Sequence, residues 1–111
     1  MPQGDSQNQA LQVLQQVFTL ASQGRLSYTD LSSVAKTLAD AKNYEMASYL
    51  YQTWIANTTS PMAYIVNADY GDVLLASNDL AGARAAFQRS LQLNGAFERA
   101  RSALVKLTPA E

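Results

Sequence analysis

The 111-residue chain has neither cysteine nor histidine. Without cysteine there is no disulfide, no thiol nucleophile and no thiolate ligand for a metal. Without histidine the commonest general base and the commonest metal ligand are missing as well. Three prolines and five glycines are too few to make disorder the starting expectation. The net charge of −1 gives no reason to expect DNA, RNA or an anionic membrane as partner. No basic leader precedes an apolar run, so no signal peptide is visible. No stretch approaches the about 18 apolar residues that a membrane span requires. These absences lead to the expectation of one soluble, cytoplasmic, non-catalytic domain with no cofactor and no metal, acting by binding.

What the chain does have is helical periodicity. In "NDLAGARAAFQRSLQLNG", Leu80, Ala83, Phe87 and Leu91 recur three or four apart, one face of an α-helix. Similar faces are carried by Leu11, Leu14, Phe18 and Ala21, by Leu31, Val34, Ala35 and Leu38, and by Tyr44, Ala47, Tyr51 and Trp54. Punctuation fits the same helices. Gly24 is a stop, Ser27 opens a capping-box-like "SYTD", and a break falls at Lys42-Asn43. Ser60 reads as an N-cap with Pro61 in the first helical position; Asn78 or Asp79 caps the next helix and Gly95 closes it. The spacing predicts six antiparallel helices with short connections and no strands. Residues 1–6 read as a loose leader and 7–107 as a single domain.

Self-comparison shows a period of 36 residues. Tyr44, Ala47, Tyr51 and Trp54 superimpose on Leu80, Ala83, Phe87 and Ser90, while Leu31, Val34, Ala35 and Leu38 superimpose on Asn67, Tyr70, Gly71 and Leu74. The pattern resembles the tetratricopeptide (TPR) repeat, a helix-turn-helix unit with W-x2-L-G-x2-Y followed by A-x3-F and P. The second unit reads Asn67-x2-Tyr70-Gly71-x2-Leu74, then Ala83-x3-Phe87, with Gly95 in the proline slot. Asn67 departs from the family's tryptophan, and neither unit keeps the proline. The resemblance implies repeats at about 28–61 and 64–97, with flanking half-repeats at 7–22 and 97–107, because a repeat cannot bury its face alone. The fold it implies is an all-α, short helical-hairpin array. More narrowly, the run from Leu50 to Arg101 is similar to the N-terminal repeats of bacterial SPINDLY-type O-GlcNAc transferase-like proteins. No catalytic residue of those enzymes has a counterpart here.

The resemblance also implies a partner-binding groove, lined by Thr29, Ser33, Lys36 and Asp40, by Ile65, Asp69, Asp72 and Ala76, and by Arg99, Ala103 and Lys106. The family's carboxylate-clamp version needs a basic residue or asparagine where Ser33 and Asp69 stand. An acid in mid-groove favours a basic or neutral peptide. Asp69 and Arg99 are expected to be neighbours across it.

Other features compete with that reading less well. Asp69 and Asp72 lie three apart on one helix and form an acid–base pair in principle, but nothing in the sequence separates their proton affinities. Lys36 and Lys42 have no glycine-rich loop beside them to cradle phosphate. Asn57-Thr58-Thr59 is a glycosylation sequon read as chance. The six tyrosines and single tryptophan are not interleaved with basic residues, so they read as packing rather than nucleic-acid platforms. Charge is segregated: Asn43 to Ala83 carries acids only, and Arg84 to Lys106 carries five basic residues against Glu98. Either adjacent helices pair internally or a polar groove selects a charged peptide. Three functions remain open: an interaction module for a protein or peptide partner (self-association included), a recruiting segment of a protein glycosyltransferase, and a small secretion-type chaperone.

Overall fold

In the computed structural model, which describes residues 3–107, the chain forms six helices and, among the described residues, no strand. They are α1 (Gln3–Ser22), α2 (Tyr28–Asp40), α3 (Tyr44–Asn57), α4 (Ala63–Ala76), α5 (Leu80–Leu93) and α6 (Glu98–Leu107). The all-helical expectation therefore holds. The first helix begins inside the stretch expected to be a leader, at Gln3; residues 1 and 2 lie outside the described residues.

Local chemistry sets most boundaries. The Ser27 hydroxyl accepts from the Asp30 amide at 3.1 Å and starts α2. Asn43 and Asp79 start α3 and α5 by accepting from Met46 and Gly82, each satisfying one amide that the helix leaves without a partner. Just before these two caps, Lys42 and Asn78 take left-handed backbone with φ of 63° and 68°. The residue after each bonds back across the helix end, Asn43 N–H to Leu38 and Asp79 N–H to Leu74, both at 2.8 Å. This is the Schellman closure. The same closure ends α1 at Gly24 (φ 70°), with the Arg25 N–H on Leu20 at 2.8 Å; the closures at Lys42 and Asn78 stand 36 residues apart.

Two expected boundaries shift. The helix expected from Pro61 begins at Ala63, because the Ser60 hydroxyl accepts from Met62 two residues on and closes a turn first. Gly95 does not close α5. Asn94 ends it in extended backbone (φ −148°) and accepts from the Ala96 amide, so no left-handed glycine is needed there.

α4 is apolar nearly all round, burying Val66, Asn67, Ala68, Tyr70, Gly71, Val73 and Leu74, as a central helix must. It packs on α2, α3 and α5, while α1 lies on α3 and α6 on α5. Substantial packing thus joins only elements one or two apart. The result is long and thin, 59 × 28 × 16 Å with a radius of gyration of 15.2 Å, against about 13 Å for a rounded domain of this length.

The buried faces match the repeat closely. Ala47, Leu50, Tyr51 and Trp54 are buried, and so are Ala83, Ala86, Phe87 and Ser90, 36 residues on. Leu80 and Leu91 were expected on that second face. Leu91 is only partly buried and Leu80 is 50% exposed, because the covered arc centres between Ala83 and Ser90 and leaves both at its margin. Leu11 is likewise 57% exposed. Further along α1, Val17 and Ala21 are buried instead.

Candidate functional site

The clearest polar constellation is made by α4 and α6. Asp69 and Asp72 stand three residues apart on α4, so both carboxylates point to the same side. Arg99, in the first turn of α6, reaches across and bonds both, Asp69 at 2.8 Å and Asp72 through the same guanidinium nitrogen. The expected Asp69–Arg99 pair is therefore present, and the short α5–α6 connection is what brings it together. Arg101 turns back to hold the Gly95 carbonyl at 2.6 Å and Arg84 holds that of Leu107 at 3.0 Å. The segregated charges thus meet directly between elements at Arg99 with Asp69 and Asp72, while Arg101 pairs with Glu98 within α6.

Burial acts on two members of the trio. It raises Asp69 above the ordinary carboxylate value despite the hydrogen bond and charge of Arg99, with the nearby Asp72 adding to the rise. For Arg99, burial works against the charge, but its bonds to Asp72 and Asp69 more than offset this and raise it. The two aspartates are consequently not equivalent; Asp69 is the more enclosed, with its side chain 23% exposed against 53% for Asp72. The sequence alone offered no means of separating them.

Aromatic side chains border the trio. Tyr28 and Tyr51 are both raised, first by burial and next by the Asp69 charge, which places their hydroxyls in its field. Tyr64 meets Phe97 edge to face at 4.9 Å. Tyr28 and Tyr64 are 36 residues apart, the interval of the sequence recurrence, so the period carried a signal for them that side-chain type alone did not. Beside the trio is an open cavity of about 330 Å³, lined by Asp72, Arg99 and Lys106 with Leu75, Ala103 and Leu107.

The remaining groove positions are placed as follows. Lys36 pairs with Asp40 at 3.4 Å, one turn apart and well exposed. Thr29 and Ser33 are exposed on α2, and Ile65 is half-buried on α4. No hydrogen bond or ion pair among the described residues joins Thr29, Ser33, Lys36 or Asp40 to the α4–α6 trio. Lys106 lines the cavity without a charge partner among the described residues. No cluster of three or more acidic side chains able to hold a metal occurs among the described residues, and no helix there is long and apolar enough to cross a membrane.

No protein-family model matches the chain, and no curated protein or solved structure matches it either.

Proposed function

We propose that the chain is a TPR-like, non-catalytic interaction module that binds a peptide segment of a partner protein over the α4–α6 face. The observation that carries this is the Asp69–Arg99–Asp72 trio: two carboxylates sharing one guanidinium, open on one side and edged by tyrosines. An incoming lysine or arginine can take over one carboxylate while Arg99 keeps the other. The freed guanidinium N–H groups then face the ligand's carbonyls, and the aromatic rim supplies apolar contact. The trio itself is acidic by one unit and Lys106 beside it brings the face to neutrality, so a basic side chain is favoured at the two carboxylates rather than over the face as a whole.

The 36-residue recurrence of left-handed closures, caps and buried faces supports the repeat reading, as does the elongated stacking of helices one or two apart. A recruiting segment of a protein glycosyltransferase would use the same face. That second reading rests on sequence resemblance alone.

The test is selection from a random peptide library, followed by affinity measurement at two salt concentrations. Peptides enriched in Lys or Arg next to an aromatic or aliphatic residue are expected, with binding that weakens as salt rises. Asp69→Asn and Asp72→Asn should each weaken it, whereas Glu45→Gln, on a helix without groove positions, should not. Selection of acidic peptides, or equal binding by all three variants, would remove the site from this face.

A further inference from the structure

The two repeat units differ most where the core turns polar. Asn67 and Ser90 are the buried polar residues among those described, at 1% and 0% exposure. Their counterparts 36 positions earlier are Leu31 and Trp54, both buried. In the first unit, Trp54 fills this place and donates its indole N–H to the Leu26 carbonyl at 2.7 Å. In the second, the small Ser90 donates to the Tyr64 carbonyl at 2.7 Å, and the Asn67 amide nitrogen donates to Ala63 at 2.9 Å. Asn67 Oδ1 is buried and accepts nothing. Leaving such an acceptor unpaired is destabilising, and a leucine like Leu31 would avoid that cost.

An open cavity of about 260 Å³ lies at the same place, between the ends of α3 and α5 and the start of α4. Asn67 lines it together with Arg89, Gln92 and an aliphatic wall of Ile55, Ala63 and Leu93. Arg89 is exposed and makes no hydrogen bond or ion pair among the described residues. Leu93 is 59% exposed. An unpaired guanidinium, an uncovered leucine and the asparagine that carries the unpaired, enclosed acceptor therefore line one opening. Its volume falls below the about 300–1,000 Å³ of pockets for drug-sized ligands, so the occupant is small.

We propose that this cavity is a second binding site, separate from the α4–α6 face, which takes the C-terminal residue of a peptide ending in an aliphatic amino acid. The terminal carboxylate pairs with the Arg89 fork, a geometry that guanidinium groups match in two parallel bonds. The residue's own amide N–H satisfies Asn67 Oδ1. Its side chain covers Leu93, Ile55 and Ala63. Each group of the ligand answers one group of the cavity left without a partner, and the exposed Gln92 and Leu93 side chains are free to yield as it enters.

The experiment is amide-resolved NMR titration with a short peptide ending in free leucine. Its C-terminally amidated form and N-acetyl-leucine are titrated in parallel. Saturable shifts at the Asn67 side-chain amide and around Arg89 are expected with the free carboxylate and not with the amidated peptide. Arg89→Gln should weaken binding at least tenfold, while Lys42→Gln, which removes another exposed cation, should not. Asn67→Leu should fold at least as stably as the parent and lose binding, an outcome that a purely structural asparagine would not give; should it fail to fold, Arg89→Gln decides alone. N-acetyl-leucine binding as tightly as the peptide would assign the cavity to a free small molecule and overturn the peptide assignment. Indifference to amidation or to Arg89→Gln, or no saturable shifts, would overturn the site itself.

Discussion

The ring of Phe87 lies directly under the backbone of Gly71: a methyl group built on Gly71 would come within 2.7 Å of the ring's Cζ. α4 and α5 meet at this point without space for even one carbon, and Phe87 is fully buried. Gly71 is a mid-helix glycine that exists for its absent side chain, despite the helix propensity it forfeits.

Gly71→Ala should therefore lower stability, by about 1–3 kcal/mol of overpacking, although alanine is the better helix former. Phe87→Ala should cost about 3–5 kcal/mol. In the double variant the new methyl group enters the space the ring vacates, so its cost should fall below the sum. Strict additivity in chemical denaturation would mean that the two residues do not touch.

The paired left-handed residues make a graded prediction. Lys42 and Asn78 hold equivalent positions, yet asparagine tolerates positive φ far better than lysine. Lys42→Gly should stabilise by up to about 1 kcal/mol, and Asn78→Gly by less. A loss of stability in Lys42→Gly would contradict the left-handed closure at α2.

Trp54 ties the α1–α2 connection to α3 through its bond to the Leu26 carbonyl. Trp54→Phe keeps an aromatic ring but strands that carbonyl, at a cost of about 1–3 kcal/mol. A cost under about 0.5 kcal/mol would indicate that the carbonyl finds another donor.

Asp69 gives the pH dependence. Burial raises its native value above the ordinary 3.8, so the folded chain holds this proton more readily than the unfolded one. The favourable contribution is complete below 3.8 and is lost as pH rises through the native value. Relative to Asp69→Asn, the parent should gain stability on acidification through that window, measured by denaturant midpoints across the acidic range. A relative loss instead would mean that attraction to Arg99 outweighs burial.

Much of this architecture was readable from residue order. Four apolar periodicities and the punctuation between them located six helices, and the 36-residue recurrence picked out Ala83, Phe87 and Gly71 as contact points, because small and large residues at fixed spacing leave few ways to pack. The Asp69–Arg99 neighbourhood followed from the same register. Periodicity failed where burial depends on what a neighbour covers: Leu11 and Leu80 have core-like spacing and no partner over them. Caps at Ser60 and Gly95 were misplaced because residue preference does not fix backbone conformation: Ser60 closes a turn before the helix, and Asn94 ends α5 in extended backbone. Asn67 was noted only as a departure from a pattern. Its significance lies in an unpaired oxygen and a neighbouring cavity, which one-dimensional spacing cannot express.

Because substantial packing joins only elements one or two apart, the chain has little long-range loop to close. Each helix settles on another no more than two places away along the chain, so ordering should be fast for a protein of this size. The same locality weakens the ends. α1 and α6 each rest mainly on a single neighbour, whereas α4 is clasped by three, so opening should begin at the termini and reach α4 last. Unfolding in this molecule has a direction.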